Sequence, residues 1–544
     1  MNTVFRHIRQ YILNPWKTGV FIIALLVAAP LLIIAFNIFS PADEAWKHIA
    51  GNMLPGYIFT TLLLLAGVTF CSLVVGVSND WIVSAFTFPG RKLLSWFLIF
   101  PFAMPAYITG FTWAGILDFT SPVYLFFRSY LNVNTGQYLF FDILSLPGAI
   151  IIFTLAYYPY VYLISLSWFS KQSRVYQEAA ASLGKNSMKT FFGVALPMAR
   201  PAIVAGVSLV LMEVLNDYGL VHYFGVHTFT TGIFTAWYSF GSPTSALKLS
   251  AILMLFVLVL IFSERWQRSN KKFTSSGSTG HKAVRKKVSP LIRVIIIVWM
   301  LLPFAAGFLF PLLMQLHWLM QSWDTFFNRN FTEVILNSSM LAVIASVAVV
   351  IMSLVISFSV RTWPVRINKT LSRLATLGYA IPGAVVAVGI LSLLLQTGSL
   401  LGDTAGGIVR TLLTASWVAL VYAYAVRFMA VGYNSIESGL EKIPVSMDES
   451  ARSLGISNTK TLWKINLPLM RPAVWTGMLL VFIDVLKELP LTLILRPFNF
   501  DTLAIRAFEF ASDERIAEAA PASIVLVLIG LLPVLLINKL SQFD

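Results

Sequence analysis

The stretch EAAASLG at residues 178–184 recurs as ESARSLG at residues 449–455, 271 positions further along the chain. Around these stretches, residues 178–215 align with residues 449–486 without a gap, and 17 of the 38 positions are identical. Two unrelated apolar helices would share apolar residues by chance, but here Glu, Lys, Arg, Gly and Pro also coincide. The chain therefore contains an internal repeat that includes polar as well as apolar positions.

The composition is that of a membrane protein. The chain of 544 residues is 57% hydrophobic and only 12% charged, with a mean hydropathy of +0.78. Soluble proteins carry about 25% charged residues, whereas about 20 apolar residues in a row suffice to cross a bilayer as a helix. We therefore predict an all-α polytopic fold with about twelve transmembrane helices. The predicted spans are 19–39, 57–77, 94–116, 146–168, 202–221, 247–263, 292–314, 334–358, 375–396, 408–430, 473–494 and 522–540.

The basic residues predict the topology. The net charge is +15, and Lys and Arg concentrate in alternate loops, as they do in cytoplasmic loops of membrane proteins. Both termini are then predicted to be cytoplasmic, and the basic residues to contact lipid headgroups rather than nucleic acid. The single cysteine, Cys71, excludes a disulfide or a cysteine-rich metal site within the chain. The basic loops are 78–93, 169–200, 264–290, 360–374 and 431–471.

The segment 265–289 divides the chain into two halves. Its composition, rich in Ser, Thr, Gly and Lys, cannot bury a core and predicts a flexible cytoplasmic linker. Residues 1–264 and 290–544 are then two domains of six helices each. Each half has four predicted spans before its copy of the repeat and two after it, so both copies face the same side of the membrane. The repeat is therefore parallel, with a pseudo-twofold axis along the membrane normal.

The repeated loop is typical of a helix, a tight turn and a second short helix. Gly184 and Gly455 permit an abrupt change of direction, and a Leu-Pro pair then leads into the next span. The order E-A-A, three residues, Gly, and later Leu-Pro resembles the motif of permease subunits of ABC importers, although the second copy has Ser450 in place of Ala179. In that family the loop is a cytoplasmic coupling helix that docks into a cleft of an ATPase subunit. Two loops in one chain imply two copies of an ABC ATPase subunit as partners.

The resemblance also implies which residues couple the permease to the ATPase, within loops 178–201 and 449–472. The chain itself shows no phosphate-binding loop, because its one Gly-Lys pair is followed by Asn. The expectation is that the chain is not an enzyme and binds no cofactor, and that the separate ATPase subunits use ATP and Mg²⁺. The implied coupling residues are Glu178, Ala179, Ala180, Gly184, Leu196, Pro197, Glu449, Ala451, Gly455, Leu467 and Pro468.

Two pairs of acids follow the coupling loops, Glu213 with Asp217 and Asp484 with Glu488. A spacing of four predicts that each pair lies on one face of the fifth helix of its half. Ionisable groups inside a membrane usually face a bundle interior or a water-filled path, and hard oxygen ligands suit hard cations. The four acids are therefore candidate translocation-path or metal-contact residues, without a firm metal site. The alternatives are an ion pair, with Lys487 as a neighbour, or a position near the water interface.

Aromatic and histidine side chains near these acids have simpler interpretations. Tyrosines crowd the fourth span of each half, and we interpret them as membrane-interface anchors rather than ferric ligands. His222 and His227 are five residues apart in a loop and are interpreted as solvated side chains. The tyrosines are Tyr157, Tyr158, Tyr160, Tyr162, Tyr422 and Tyr424.

Three further stretches are similar to the fused ferric-iron permeases. They are PFAMPAYITGFTW (101–113), LMEVLNDYGLVHYFGVHTFTTGIFTAWY (211–238) and FIDVLKELPLTLILRPFNFDTLAIRAFEF (482–510). The resemblance implies an importer of the bacterial inner membrane that moves Fe³⁺ by alternating access. A periplasmic ferric-iron-binding protein would deliver the ion, and the two ATPase subunits would drive the two halves.

Other cargoes and other classes of protein compete with this interpretation. Fused thiamine and phosphonate permeases share the architecture, although the acids would repel a phosphonate. An ion-coupled secondary transporter would not need duplicated ATPase-docking loops. A membrane enzyme would need catalytic polar groups clustered at one depth, and the sequence displays no such cluster.

Overall fold

The computed structural model describes residues 14–131, 142–182, 187–269, 286–326, 329–400 and 416–540. Most of these residues are helical, which confirms the predicted all-α class. In the described part of the chain the strands are β1 (Phe86–Thr87) and β2 (Lys286–Lys287), which pair in parallel. The predicted linker 265–289 therefore contains β2, while its residues 270–285 lie outside the described ranges.

The helices follow the order of the predicted spans. Those of the first half are α1 (Pro15–Asn37), α2 (Glu44–His48), α3 (Leu54–Ala85), α4 (Arg91–Phe97), α5 (Ala106–Leu117), α6 (Pro122–Leu131), α7 (Leu146–Ser182), α8 (Ser187–Thr190), α9 (Leu196–Asn216), α10 (Gly219–Tyr223), α11 (Phe229–Phe234) and α12 (Pro243–Ser269). Those of the second half are α13 (Pro290–Phe304), α14 (Phe310–Gln321), α15 (Trp323–Phe326), α16 (Arg329–Thr362), α17 (Arg366–Ala375), α18 (Gly383–Leu400), α19 (Trp417–Glu441), α20 (Val445–Ser453), α21 (Asn458–Thr461), α22 (Leu467–Leu469), α23 (Arg471–Lys487), α24 (Pro490–Leu495), α25 (Leu503–Ser512) and α26 (Ile516–Leu540). Short 3₁₀ turns lie at Phe100–Ala103 and Leu377–Ala380, and π-helical turns at Ile49–Met53, Phe191–Ala195, Thr235–Ser239, Ala305–Leu309 and Leu462–Asn466.

Among the described residues, eight helices are long and apolar enough to cross a membrane, and three bent pairs of helices make up to eleven candidate spans. These correspond to eleven of the predicted spans. The remaining prediction, 408–430, begins in residues outside the described ranges, and the helix found there, α19, starts at Trp417. Arg427 lies in its apolar part.

Two predicted spans, 94–116 and 375–396, are not single straight helices. Each is broken where a residue with extended backbone precedes proline, at Met104–Pro105 and at Ile381–Pro382. The chain bends by 94° at the first break and by 115° at the second. The reason is local, because proline disfavours helical backbone in the residue before it and cannot donate a hydrogen bond itself.

The repeat is structural as well as sequential. Directly before each Leu-Pro pair the helix widens into a π-helical turn, Phe191–Ala195 in one half and Leu462–Asn466 in the other, at the same offset of 271. A proline in the first turn of a helix removes a backbone donor, and π turns mark such local disturbances. The halves differ immediately afterwards, because the second copy bends by 77° near Met470.

Two compact units are found, and each is described by itself. The first comprises the described residues of Met1–Lys47, Ile233–Met254 and Asn328–Ile505. In it α1 packs against α16, α17 and α18, with Val20 and Ile356 in a shared apolar cluster. Gly19 allows this approach, because a Cβ atom there would lie 2.9 Å from Val355. The N-terminal helix thus belongs to the body formed by the second half.

The second unit comprises the described residues of His48–Gly232, Leu255–Phe327 and Arg506–Asp544. Here α3, α7 and α9 pack together, and α13 and α14 cover the broken segment α4–α5. Phe304 stacks on Phe97 with ring centroids 4.4 Å apart, and Trp113 Nε1 donates to the Ala306 carbonyl at 2.8 Å. In each unit, therefore, the first long helix of one sequence half packs against the body of the other half.

Candidate functional site

The second coupling loop contains a short helix, α20, that ends in a glycine turn. Gly455 has φ +76, in the left-handed region. The Ile456 amide donates to the Ala451 carbonyl at 3.0 Å, and the Gly455 amide donates to the Arg452 carbonyl at 2.9 Å. This pair of bonds is the Schellman motif, which requires a residue with positive φ at the glycine position. The predicted tight turn is therefore present, and the motif glycine is explained by its backbone angle.

The outer face of α20 is exposed and partly apolar. Glu449 is exposed, while Ala451 is buried beneath the helix. Exposed apolar residues flank the acid, with Met447 at 44% and Leu454 at 79% of their full accessible surface. An exposed apolar patch with polar neighbours is typical of a surface that binds a partner protein. The exposed face of α20 is thus suited to binding a partner protein.

The base of the loop is held by Arg361 in the last turn of α16. Its Nε lies 2.6 Å from Asp448 Oδ2, and its Nη atoms donate to the carbonyls of Leu440 and Ile443 at 2.5 and 2.9 Å. The guanidinium therefore joins the end of α19, the start of α20 and a membrane helix. Because Arg presents several donors in a rigid plane, movement of α20 would be transmitted directly to α16.

The N-terminal helix also reaches this loop. Trp16 Nε1 donates to Thr459 Oγ1 at 3.1 Å, and the Trp16 ring packs edge-on against Phe358 at 4.9 Å. Both contacts lie within the first unit. The first contact connects α1 to a residue that follows the motif glycine, and the second connects it to α16.

The first coupling loop is described only in part. Glu178, Ala179 and Ala180 lie in the last turns of α7, which continues to Ser182. Gly184 lies outside the described residues, so its predicted turn stays a prediction. Leu196 and Pro197 begin α9, as Leu467 and Pro468 begin α22.

The second acid of each pair does not lie on the helix of the first, contrary to the prediction. Helix α9 ends at Asn216 and α23 ends at Lys487, so Asp217 and Glu488 each follow the last helical residue with extended ψ. Asp217 Oδ1 accepts from the Leu220 amide at 2.8 Å, and Glu488 Oε1 accepts from the Leu491 amide at 3.2 Å. The two buried carboxylates therefore serve equivalent structural roles, each capping the short helix that follows.

Glu488 is also half of a buried ion pair. Arg427 Nε lies 3.1 Å from Glu488 Oε2, and both side chains are at most 6% exposed. Arg427 Nη1 donates to the Ile381 carbonyl at 2.8 Å, which is the carbonyl freed at the Pro382 break. Glu488 is therefore in an ion pair, and the partner that the structure shows is Arg427.

Glu213 contacts a tyrosine of the fourth span. The Tyr160 hydroxyl donates to Glu213 Oε1 at 3.0 Å, and both residues are partly exposed. Asp484, the equivalent acid of the second half, is also partly exposed in α23. Of the four acids, Glu213 and Asp484 are therefore the two that are not used as helix caps.

The interpretation of the tyrosines as interface anchors is wrong for three of them. Tyr158, Tyr162 and Tyr424 are at most 1% exposed. The first two donate to the carbonyls of Leu98 and Ser95, at 2.7 and 3.2 Å. The hydroxyl of Tyr424 lies 2.6 Å from Thr492 Oγ1. These phenols stabilise irregular backbone or helix packing inside the protein.

His222 lies in α10, and His227 follows that helix. His222 and His227 are both exposed, and the His222 ring stacks on Tyr218 at 4.9 Å. Among the described residues, no group of three or more His, Cys, Asp or Glu side chains is placed to hold a metal ion.

Sequence reasoning missed Arg361 and the role of Arg427. In the sequence Arg361 lies among the loop charges that predict the topology, and nothing local links it to Asp448, 87 residues away. Arg427 had a usable signal, because an ionisable residue within an apolar run usually has a specific partner.

One protein family matches the chain twice, once in each half of the repeat. Residues 81–271 and 361–543 both match the profile of a family described as the binding-protein-dependent transport system inner membrane component. Each match begins near the end of the second span of its half and includes the coupling loop.

Several curated proteins are similar to the chain. The Fe(3+)-transport system permease protein FbpB 2 of Haemophilus influenzae is 25% identical over 484 residues, which cover 88% of each chain. The ferric transport system permease protein FbpB of Actinobacillus pleuropneumoniae is 23% identical, over 87% of this chain and 70% of the relative. The sulfate transport system permease protein CysT of Salmonella typhimurium is 26% identical over 257 residues, which are 45% of this chain but 88% of that protein. One half of this chain therefore corresponds to nearly a whole sulfate permease.

Proposed function

Since the chain belongs to the family of binding-protein-dependent transport system inner membrane components, we propose that it is the membrane-spanning permease of an ATP-driven importer of ferric iron. The observation that carries the importer function is the second coupling loop. This loop has an exposed apolar face, a Schellman turn at Gly455 and an attachment to α16 through Arg361. A loop that binds an ATPase subunit and transmits its movement to the membrane helices requires these features.

Two copies of an ABC ATPase subunit bind the two loops, one each. Closure of the ATPase pair on ATP moves both loops together, and the rigid attachment of α20 carries the movement into the membrane helices. The ATPase subunits use the ATP and Mg²⁺, while the permease contributes the path and its alternating access. A periplasmic binding protein delivers the cargo to the face opposite the loops, and both termini lie on the loop side.

Ferric iron is favoured as the cargo by two observations. The relatives that align along most of the chain are named as Fe(3+) or ferric permeases, and two partly exposed acids, Glu213 and Asp484, remain in the fifth helices. Carboxylate oxygens suit a small, highly charged cation.

Sulfate is the second candidate, because sulfate permeases match half of the chain. Carboxylates along the path would repel a divalent oxyanion, whereas a cation would be attracted. Thiamine, an organic cation, remains compatible with the acids.

The test is uptake by cells that lack this chain, with and without its restoration. Radiolabelled ferric iron, sulfate and thiamine are offered in parallel, with and without depletion of ATP. We expect ATP-dependent iron uptake to return and the other two to be unchanged. Restored sulfate or thiamine uptake without iron uptake would contradict the ferric assignment and retain the importer. Uptake that survives depletion of ATP would indicate a secondary transporter instead.

A further inference from the structure

Helices α7 and α9 cross closely at one glycine. A Cβ atom at Gly206 would lie 2.8 Å from Val161 Cα and 3.3 Å from the Tyr160 carbonyl oxygen. Glu213 is seven residues beyond Gly206 and so lies on the same face of α9. The crossing thus places a carboxylate of α9 beside a phenol of α7, with 3.0 Å between Glu213 Oε1 and the Tyr160 hydroxyl.

We propose that Tyr160 and Glu213 together contact the transported ion, as a phenol–carboxylate site for a hard trivalent cation. The site rests on the proposed function, because it assumes that the chain moves such a cation. It adds Tyr160 to the candidate path and assigns the contact to the first half of the repeat.

The spacing of the two oxygens suits chelation. In an octahedral site with metal–oxygen distances of about 2.0 Å, neighbouring ligand oxygens lie about 2.8 Å apart. The observed 3.0 Å therefore allows both oxygens to bind one ion with little movement. As the ion binds, the phenolic O–H bond breaks, the oxygen bonds to the metal and the proton passes to water, since metal ligands bind deprotonated.

Neighbouring aromatic rings fix the phenol. The Phe102 ring packs edge-on against Tyr160 at 4.9 Å, and the Tyr157 ring lies 6.2 Å away. Tyr160 and Glu213 are both partly exposed, unlike the fully buried Tyr158 and Tyr162. The phenol is therefore oriented by packing and still accessible to an ion.

The second half differs in sequence at this position. The residue at the position of Tyr160 is Val431, by the offset of 271, and Asp484 takes the place of Glu213. Asp217 and Glu488 are used as helix caps, and Glu488 also pairs with Arg427. A site with two protein oxygens binds weakly, which suits transport because a permeating ion must also leave.

The experiment measures binding of Tb³⁺, a hard trivalent ion, from the free metal that remains at equilibrium, so that the measurement does not depend on the tyrosine that a variant removes. The purified full-length chain in lipid nanodiscs is titrated with Tb³⁺ as the wild type, Tyr160→Phe, Glu213→Gln and Glu213→Asp. We expect Tyr160→Phe and Glu213→Gln each to weaken binding at least about tenfold, because loss of even an outer-shell partner of a ligand has an effect of about this size, and Glu213→Asp to retain most of it. Tyr157→Phe is the matched control, expected to bind Tb³⁺ as the wild type does.

Ferric uptake by cells carrying the same variants separates the two proposals. Wild-type affinity in both Tyr160→Phe and Glu213→Gln overturns the site, even where iron uptake by the wild type upholds the proposed function. The converse outcome is that Tb³⁺ binding depends on both residues while the wild-type chain restores no iron uptake. That result upholds the ion-binding site and overturns ferric iron as the cargo. Should Tyr160→Phe fail to fold, the comparison of Tb³⁺ affinity between Glu213→Gln and Glu213→Asp decides whether the site exists.

Discussion

At the scale of single residues, the roles of Glu488 and Arg427 depend on their surroundings in the fold. Glu488 looks like a path acid in the sequence, but it caps α24 and neutralises Arg427. Gly383 lies beside this pair, because a Cβ atom there would be 2.4 Å from Glu488 Oε1. The pair joins the break at Pro382 to the end of α23, so its residues stabilise two discontinuous helices.

We predict that Arg427→Met and Glu488→Gln each destabilise the protein by about 3–5 kcal/mol, since each leaves one buried charge without its partner. The double variant should recover part of this loss because it removes both charges. Thermal unfolding of the detergent-purified protein measures the effect. A double variant that is less stable than either single variant would contradict the ion-pair account.

Gly455 provides a second test at this scale. Replacing it with Val should strain the backbone by about 1–2 kcal/mol, because an L-residue is disfavoured in the left-handed region. Asn tolerates this conformation better and is the matched control. We expect Gly455→Val to reduce ATP-dependent uptake more than Gly455→Asn, at equal amounts of protein in the membrane. Equal uptake by the two variants would show that the turn does not need positive φ.

At the scale of elements, the coupling helix and a membrane helix share one anchor. Arg361 makes an ion pair to Asp448 and donates to backbone carbonyls at the end of α19. The membrane helices α4–α5 and α17–α18 are broken at X-Pro pairs in both halves, and the fifth helix of each half stops at an acid. These breaks are typical of transporters, in which discontinuous helices surround the path.

The contacts of Arg361 predict which of two variants impairs uptake more. Arg361→Gln should impair uptake more than Asp448→Asn, because the first change removes bonds to two carbonyls as well as the ion pair, and each charged hydrogen bond is worth about 1.5–3 kcal/mol. ATP hydrolysis by the assembled complex should persist in Arg361→Gln while uptake falls, because the variant weakens the attachment of α20 to α16 and leaves α20 itself in place. The reverse order of the two variants would mean that Asp448 acts elsewhere.

At the scale of the whole molecule, the duplicated loop gives the chain two equivalent positions at which the proposed ATPase subunits would bind. Each compact unit combines segments of both sequence halves, including the first long helix of one half packed against helices of the other. The repeat is retained in detail, because a π-helical turn precedes Leu-Pro at equivalent positions.

Charge reversal tests the double docking. We predict that Glu178→Lys with Glu449→Lys abolishes uptake and that each single reversal leaves part of it, because one loop can still dock. Membrane levels should be unchanged, since Glu449 is exposed. Uptake and immunoblots of membranes measure both, with the exposed Glu441→Lys as the matched control. Normal uptake by the double variant would contradict the coupling role of these loops.

Local patterns in the sequence determined the helical class, most of the spans, the internal repeat and the turn at Gly455. Hydropathy, proline positions and a fixed offset of 271 act over one helix or one loop, so they can be read without knowing the fold. The extended residues before Pro105 and Pro382 belong to this group too, because proline acts on its neighbour in the chain, although the predicted spans 94–116 and 375–396 are continuous there.

Only the tertiary structure decided what Glu213, Glu488 and Asp448 contact. The pairs Tyr160–Glu213, Arg427–Glu488 and Arg361–Asp448 join residues 53, 61 and 87 positions apart. Their formation depends on which helices cross, on where a glycine lets them approach and on where a helix stops. These are properties of packing between distant segments, and no spacing within one segment encodes them.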